Sequence, residues 1–286
     1  MKRVLVFFGL LLTTNLIAQV VSVQEAKSIL ESKNVFGPQE IAKALGIKID
    51  SMLVPPIPFS KKTLEKAKAM GMFLILKMPL SVNALNNLLK GLVDKEAKLF
   101  YHYNLRDGKF KRSAWYTDMD WFTKSDSDKP YWTLDSKNLL RNSLNKNYIQ
   151  QTGRIYDCLM NKIFVGDTIP QIYREALAQW DSIRPIIKKM MAGTNNCELQ
   201  CDSLLDISKI NLLCRPSPFD IIYDLVVIFK ITKKRIFTGV EILTNVRDKD
   251  GLRVSVGYFD DKGIAIDAMA TEESDEETGG LFIQKL

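Results

Sequence analysis

The sequence predicts an α+β fold: a helical amino-terminal part, central antiparallel hairpin strands, a further helical segment and a carboxy-terminal antiparallel meander. Three observations carry this. Helix caps recur between residues 22 and 93, apolar spacing changes to period two between 98 and 137, and turn signals separate apolar runs after Thr238.

In order, Ser22 and Glu25 make a capping box ahead of Ala26, Ile29 and Leu30. Pro38 sits where a helix starts and Gly46 where it stops. Ser60 opens a third helix that Gly71 closes. Residues 72–77 then read as a buried strand, and Ser81 caps a helix through Leu85 and Leu88. Pro55-Pro56-Ile57-Pro58-Phe59 is a stiff extended connector, because proline fixes φ and removes a donor. Its Ile and Phe are expected to pack onto the body, with a docking strip as the alternative.

Residues 99–105 and 110–116 flank Asp107-Gly108, which predicts a two-residue hairpin with His102 opposite Ser113 and Phe100 opposite Trp115. A polar loop from 124 to 130 leads to a strand at Tyr131-Trp132-Thr133-Leu134. The chain turns helical again at Ser143, and a helix from Pro170 is expected to break or kink at Pro185. Ser217-Pro218-Phe219-Asp220 caps a core helix, and Asp250-Gly251 and Asp261-Lys262-Gly263 are the turns of the final meander.

The amino terminus sets the compartment. Met1, Lys2 and Arg3 precede an uncharged, apolar run over residues 4–18 that ends in the small residue Ala18. That run is shorter than the roughly twenty residues a spanning helix needs, and Thr13, Thr14 and Asn15 interrupt it. Residues 1–18 therefore read as a signal peptide and 19–286 as a single composite α+β domain, soluble and exported to the periplasm or the medium. No integral membrane segment is expected after cleavage.

Losing Lys2 and Arg3 lowers the formal charge from +7 to +5, too mild for a nucleic-acid footprint. His102 is the one histidine, which removes metal sites that need two imidazoles. No metal or cofactor is expected. An even count of four cysteines in an oxidising compartment admits a structural link among Cys197, Cys201 and Cys214, against free buried thiols. The C-E-L-Q-C spacing is not that of a redox C-x-x-C pair.

The segment around Trp115, Asp118, Asp120 and Trp121 sets aromatic faces beside carboxylates, a composition that stacks a sugar or supplies a general acid and base. Strand alternation explains the same pattern without a ligand. Ser143-Leu144-Asn145-Lys146 matches S-x-x-K, but the companion S-D-N and K-T-G elements are missing from the chain, so the match carries no weight. Asp248-Lys249-Asp250-Gly251 is a turn and not a calcium loop, since its twelfth position is Phe259. The acidic run over 272–277 reads as a solvated loop.

Several strings stand together in order. They are Pro55-Pro56-Ile57-Pro58-Phe59-Ser60, Leu74-Ile75-Leu76, Trp115-Tyr116, Phe122-Thr123 and Trp132-Thr133-Leu134-Asp135-Ser136-Lys137. Asn142-Ser143-Leu144-Asn145-Lys146-Asn147-Tyr148-Ile149-Gln150-Gln151-Thr152 follows, then Arg215, Pro218 and Tyr223-Asp224. In this arrangement the chain resembles an uncharacterised bacterial protein family found mostly in metagenome-derived genomes. The resemblance implies no activity. It singles out the tract 132–152, whose polar residues exceed what packing needs.

Together these observations lead to an exported binding or interaction protein with a protein or carbohydrate ligand. The candidate surface is Trp115, Asp118, Asp120, Trp121, Ser136, Lys137, Asn147, Tyr148 and Gln151. The alternative is an exported hydrolase of envelope or extracellular polymer, using Asp118, Asp120 or the Ser136-Lys137 pair; no catalytic residue is assigned.

Overall fold

The computed structural model describes residues 21–88, 100–104, 109–111, 115–192 and 198–286. The leader, the Asp107-Gly108 turn, Ser113 and Cys197 lie outside them.

The amino-terminal elements follow their caps. Ser22 Oγ accepts from Glu25 N at 3.2 Å, and Glu25 Oε2 accepts from Ser22 N at 3.0 Å, starting α1 (Val23–Leu30). Short β1 (Val35–Phe36) leads to α2 (Pro38–Leu45), which Gly46 ends at φ +68°. Ser60 caps α3 (Lys61–Ala69), ahead of the buried strand β2 (Met72–Lys77). Ser81 Oγ accepts from Ala84 N at 3.1 Å at the head of α4 (Val82–Leu88). The proline strip packs inward as expected: Ile57 and Phe59 are buried, and Trp132 Nε1 donates to Pro55 O at 2.9 Å.

The central hairpin is corrected in register. In β3 (Phe100–Asn104) and β4 (Lys109–Lys111), His102 pairs with Lys111 and Asn104 with Lys109. A shift of two residues returns every side chain to the same face, so the apolar pattern could not tell the two registers apart. The strand expected through Trp115 to Trp121 is also corrected. Residues 115–118 form a turn, and α5 (Asp120–Thr123) follows. Trp121 and Phe122 are both buried although adjacent, which a strand with one solvent face does not allow. They pack with Tyr116 on Phe100, ring centroids 5.2–6.2 Å apart.

After β5 (Tyr131–Ser136), the next helix starts at Tyr148 and not at Ser143. Asn142 and Asn145 hold φ of +58° and +52°, which interrupts any helix before the capping box of Asn147 and Gln150. That helix, α6 (Tyr148–Cys158), runs into a π turn, Leu159–Ile163. In α7 (Gln171–Met191) the helix is unbroken at Pro185, where a break or kink is expected from the sequence. Short α8 (Glu198–Asp206) and α9 (Lys209–Cys214) lead to α10 (Pro218–Thr232), capped by Ser217 and buried through Ile228.

α10 is apolar almost all round, as a helix inside a core must be. It packs against α2, α4 and α5 on one side and against β6 (Glu241–Arg247) and β7 (Arg253–Asp260) on the other. The meander continues in β8 (Gly263–Met269), and β6, β7 and β8 pair antiparallel in sequence. The chain end departs from a simple meander. β9 (Thr278–Gly279) pairs parallel with β6, and β10 (Ile283–Lys285) crosses to the other sheet beside β5. One sheet thus runs β1-β2-β5-β10, the other β4-β3-β8-β7-β6-β9. Among the described residues no helix is long and apolar enough to cross a membrane.

Candidate functional site

The most unusual chemistry of the chain is buried where the four-stranded sheet meets α10. Register builds it. Residues directly opposite in an antiparallel pair share a face, and Lys77 lies opposite Tyr131, Thr133 opposite Lys285, and Asp135 opposite Ile283. Tyr131, Thr133 and Asp135 alternate onto one face of β5. Lys77, Tyr131, Thr133, Asp135 and Lys285 therefore project together, and Asp220 and Asp224, four residues apart on α10, meet them.

Lys77 Nζ is fully buried, donates to Asp220 O at 3.0 Å and lies 3.0 Å from Asp135 Oδ2. It also pairs with Asp224 and lies 5.2 Å from the centroid of the Tyr223 ring. Burial works against its charge, but Asp135, Asp224 and Asp220 outweigh that and raise its pKa above the ordinary lysine value. Asp220 Oδ2 accepts from Lys285 Nζ at 2.7 Å and from Ser217 N at 2.9 Å, and Tyr131 OH donates to Oδ1 at 3.3 Å. Burial pushes Asp220 up, yet Lys285, Lys77 and these hydrogen bonds hold it at about 2.

Asp224 behaves oppositely. Burial and the adjacent Asp135 carboxyl push its pKa well above the usual carboxylate range. Geometry agrees. Neither oxygen of Asp135 has a hydrogen-bond donor among the described side chains and backbone, because the Lys77 contact is off-angle. A proton on Asp224 supplies that donor. The outer end of the cluster is Asp126, an exposed residue whose carboxyl turns in to accept from Ser217 Oγ. Enclosure and Asp220 raise the pKa of Asp126 as well.

A second buried network lies at the head of α6. Tyr148 is held between two fully buried guanidiniums, Arg215 at 3.9 Å and Arg253 at 4.2 Å from its ring centroid. Arg253 pairs with Asp202 at 3.2 Å and Asp206 at 2.7 Å, and Arg247 shares both acids. Arg215 is bound by neutral acceptors instead: Gln151 Oε1 and Thr152 Oγ1 at 3.0 Å, Tyr148 O at 3.1 Å and Asn211 Oδ1 at 3.3 Å. Burial pulls its pKa down to about 10, which leaves it charged at neutral pH.

The predicted surface does not assemble. Tyr148 and Gln151 are buried in the arginine network and Asn147 caps α6. Trp121 is buried and Trp115 half-buried in the aromatic cluster. Asp118 is exposed, and Asp120 pairs with Lys124 at 2.8 Å. Ser136 and Lys137 lie at the far end of β5, where Lys137 Nζ donates to Asn34 Oδ1 and burial lowers its pKa. Ser143, the serine of the S-x-x-K match, is tied to Gly280 N at 3.0 Å and edges a shallow open depression of about 490 Å³. Cys214 is a free, fully buried thiol and so joins no disulfide; Cys201 is buried with Sγ 3.6 Å from Met190 Sδ.

Lys77, Lys285 and Arg253 are not singled out in the sequence, and Asp224 enters only within the string Tyr223-Asp224. A signal for them existed. Lys77 ends the apolar run Met72-Phe73-Leu74-Ile75-Leu76, and Asp224 interrupts Ile221-Ile222-Tyr223 and Leu225-Val226-Val227. A charge inside a run that must be buried requires a buried partner. No family model matches the chain, and no curated protein or solved structure is significantly similar to it.

Proposed function

We propose that the chain is an exported binding protein of the cell envelope or extracellular space, making its contact through the turn Ser51–Leu53. One observation carries the reading. Met52 is 90 % exposed and Leu53 66 %, the two most solvent-exposed large apolar side chains among the described residues. Adjacent large apolar groups left in water are costly unless something covers them.

The turn is also preorganised. Asp50 Oδ1 accepts from Met52 N at 2.9 Å, and Pro55-Pro56 stiffens the exit toward the buried anchors Ile57 and Phe59. An apolar tip on a rigid mount binds without a large ordering cost. The buried charge networks then serve rigidity, since no polar atom of Lys77 or Asp135 reaches solvent. The hydrolase alternative loses its residues' arrangement: Asp118 and Asp120 stand exposed, Ser136 is buried at the end of β5, and Lys137 is engaged by Asn34.

Two measurements test this. Intact mass of the chain from its natural host should show an amino terminus at Gln19, in an extracytoplasmic fraction. A photo-cross-linking residue at Leu53 should give adducts absent from the same probe at exposed Ile186 on α7. A retained Met1 in cytosol would undo the compartment, and equal adducts at both positions would undo the contact site.

A further inference from the structure

Resting on the reading of the Ser51–Leu53 turn as a contact surface, we infer that its partner is an anionic lipid surface. Size argues first. The tip offers on the order of 300 Å² of apolar surface, within the range of a single functional patch. A stable protein interface buries about 800 Å² per partner with matched shape. Two apolar side chains side by side are too little for that, but they are enough to enter the headgroup layer, which demands no shape complementarity.

Charge argues second. Between residues 43 and 62 stand Lys43, Lys48, Lys61 and Lys62 against the single acid Asp50. Asp50 is occupied in capping the turn, with Oδ1 2.9 Å from Met52 N. Lys61 is paired with Glu25 at 2.8 Å and Lys62 with Asp167, both with side chains about half exposed. Lys43 and Lys48 are exposed and join no ion pair among the described residues. Lys48 is four residues from Met52, so at most about 14 Å of chain separates them. An apolar tip with cations on both flanking segments is the arrangement by which a folded protein rests on an anionic membrane, its side chains in the acyl boundary and its lysines at phosphates.

The contact is reversible. Two side chains and a few screened cations give an anchor weaker than the paired signals that stable attachment takes. Association should therefore rise with anionic lipid and fall with salt, whose Debye length shrinks to about 3 Å at 1 M.

The test uses the full mature chain, residues 19–286, in sedimentation with vesicles of phosphatidylglycerol and phosphatidylethanolamine, and with vesicles of phosphatidylcholine alone. Expected is binding to the first, at least tenfold weaker on the second. It should weaken at least tenfold in Met52→Asp/Leu53→Asp, and by a smaller factor in Lys48→Glu. Both variants replace exposed side chains, and an unchanged thermal unfolding midpoint shows that they fold. Equal binding to both vesicles, or undiminished binding of the double variant, overturns the inference. So does failure to bind either vesicle. In that last case, protein adducts from the Leu53 cross-linker leave the contact-surface reading standing with a protein partner, whereas no adducts would remove both.

Discussion

Lys77 at the end of β2 donates a hydrogen bond to Asp224 in the middle of α10, between side chains that are 0 % and 4 % exposed and 147 residues apart in sequence. This contact joins the four-stranded sheet to the central helix, and it is made of ionisable groups where packing alone would call for apolar ones. Removing one partner of such a pair is far more damaging than replacing both. Lys77→Met should therefore destabilise the chain by about 3–5 kcal/mol, since Asp135 is left buried without a cation. Asp224→Asn keeps a neutral donor toward Asp135 and should cost less than about 1.5 kcal/mol. Urea unfolding of the two variants at neutral pH gives the comparison. Equal losses would mean that Asp224 is ionised in the fold and the charge assignment is wrong.

The same cluster fixes how stability depends on pH, and its two ends act in opposite directions. Asp224 holds its proton more tightly folded than unfolded, so its contribution is complete below about pH 4 and is lost as pH rises through its raised folded value. Asp126, raised in the same sense, adds to that slope. Asp220, held at about 2, contributes fully above about pH 4 and loses its effect as pH falls toward 2. Urea midpoints should decline from pH 5 to pH 9 in the parent chain, and more gently in Asp224→Asn. A parent curve that climbs over that range, or a variant curve parallel to it, contradicts the proton on Asp224.

Among the described residues Arg215 is a buried cation without a carboxylate, and its fork is satisfied by five acceptors on α6, α9 and β6. A lysine cannot reproduce this, because an ammonium neither lies flat on Tyr148 nor spans acceptors on two sides. Arg215→Lys and Arg215→Met should both lower stability by roughly 3 kcal/mol or more, with lysine giving no rescue. If lysine restored the parent's denaturation midpoint, charge alone would matter and the planar geometry would not.

These networks show which parts of the structure could be read from the chain. Caps at Ser22, Ser60 and Ser217 act within three residues, so the amino-terminal helices and α10 were legible directly. The apolar run through Leu76 was likewise visible as β2. The hairpin register was not, because slipping it by two residues leaves the same face buried. Nor was the departure of β10 from the meander, since pairing with β5 depends on residues 150 positions away. Tyr148 and Gln151 stand out as polar residues of the tract 132–152, but their burial is not legible there, because their partner Arg215 arrives from a distant helix end. The aromatic residues beside Asp118 and Asp120 look alike as a core and as a sugar platform until the chain path is known.

The cysteines give a direct chemical readout of burial. Burial raises the Cys158 thiol to about 11, and that of Cys214 well above the ordinary value. Thiolate is the reactive form, so both should resist alkylation at pH 8 in the native chain and label fully in urea. Mass mapping of labelled peptides distinguishes them. Rapid native labelling of Cys214 would contradict its buried place at the end of α9, which packs against β10.

Close backbone approach makes one last pair of sites separable. At Gly257, paired with Glu241 across β6 and β7, an added Cβ would sit 2.1 Å from Val240 O and 2.8 Å from Glu241 Cα. Both atoms are backbone, and Val240 O already accepts from Tyr258 N at 2.9 Å. The ladder would have to part, so Gly257→Ala should cost on the order of 3 kcal/mol or more, in the range of overpacking with backbone displacement. At Gly279 the added atom meets Leu139 Cδ1 at 2.6 Å, the far end of a half-buried side chain that can turn aside. Gly279→Ala should cost about 1 kcal/mol. Thermal unfolding of the two variants orders them, and a Gly257→Ala chain as stable as its parent would show that β6 and β7 do not meet in this register.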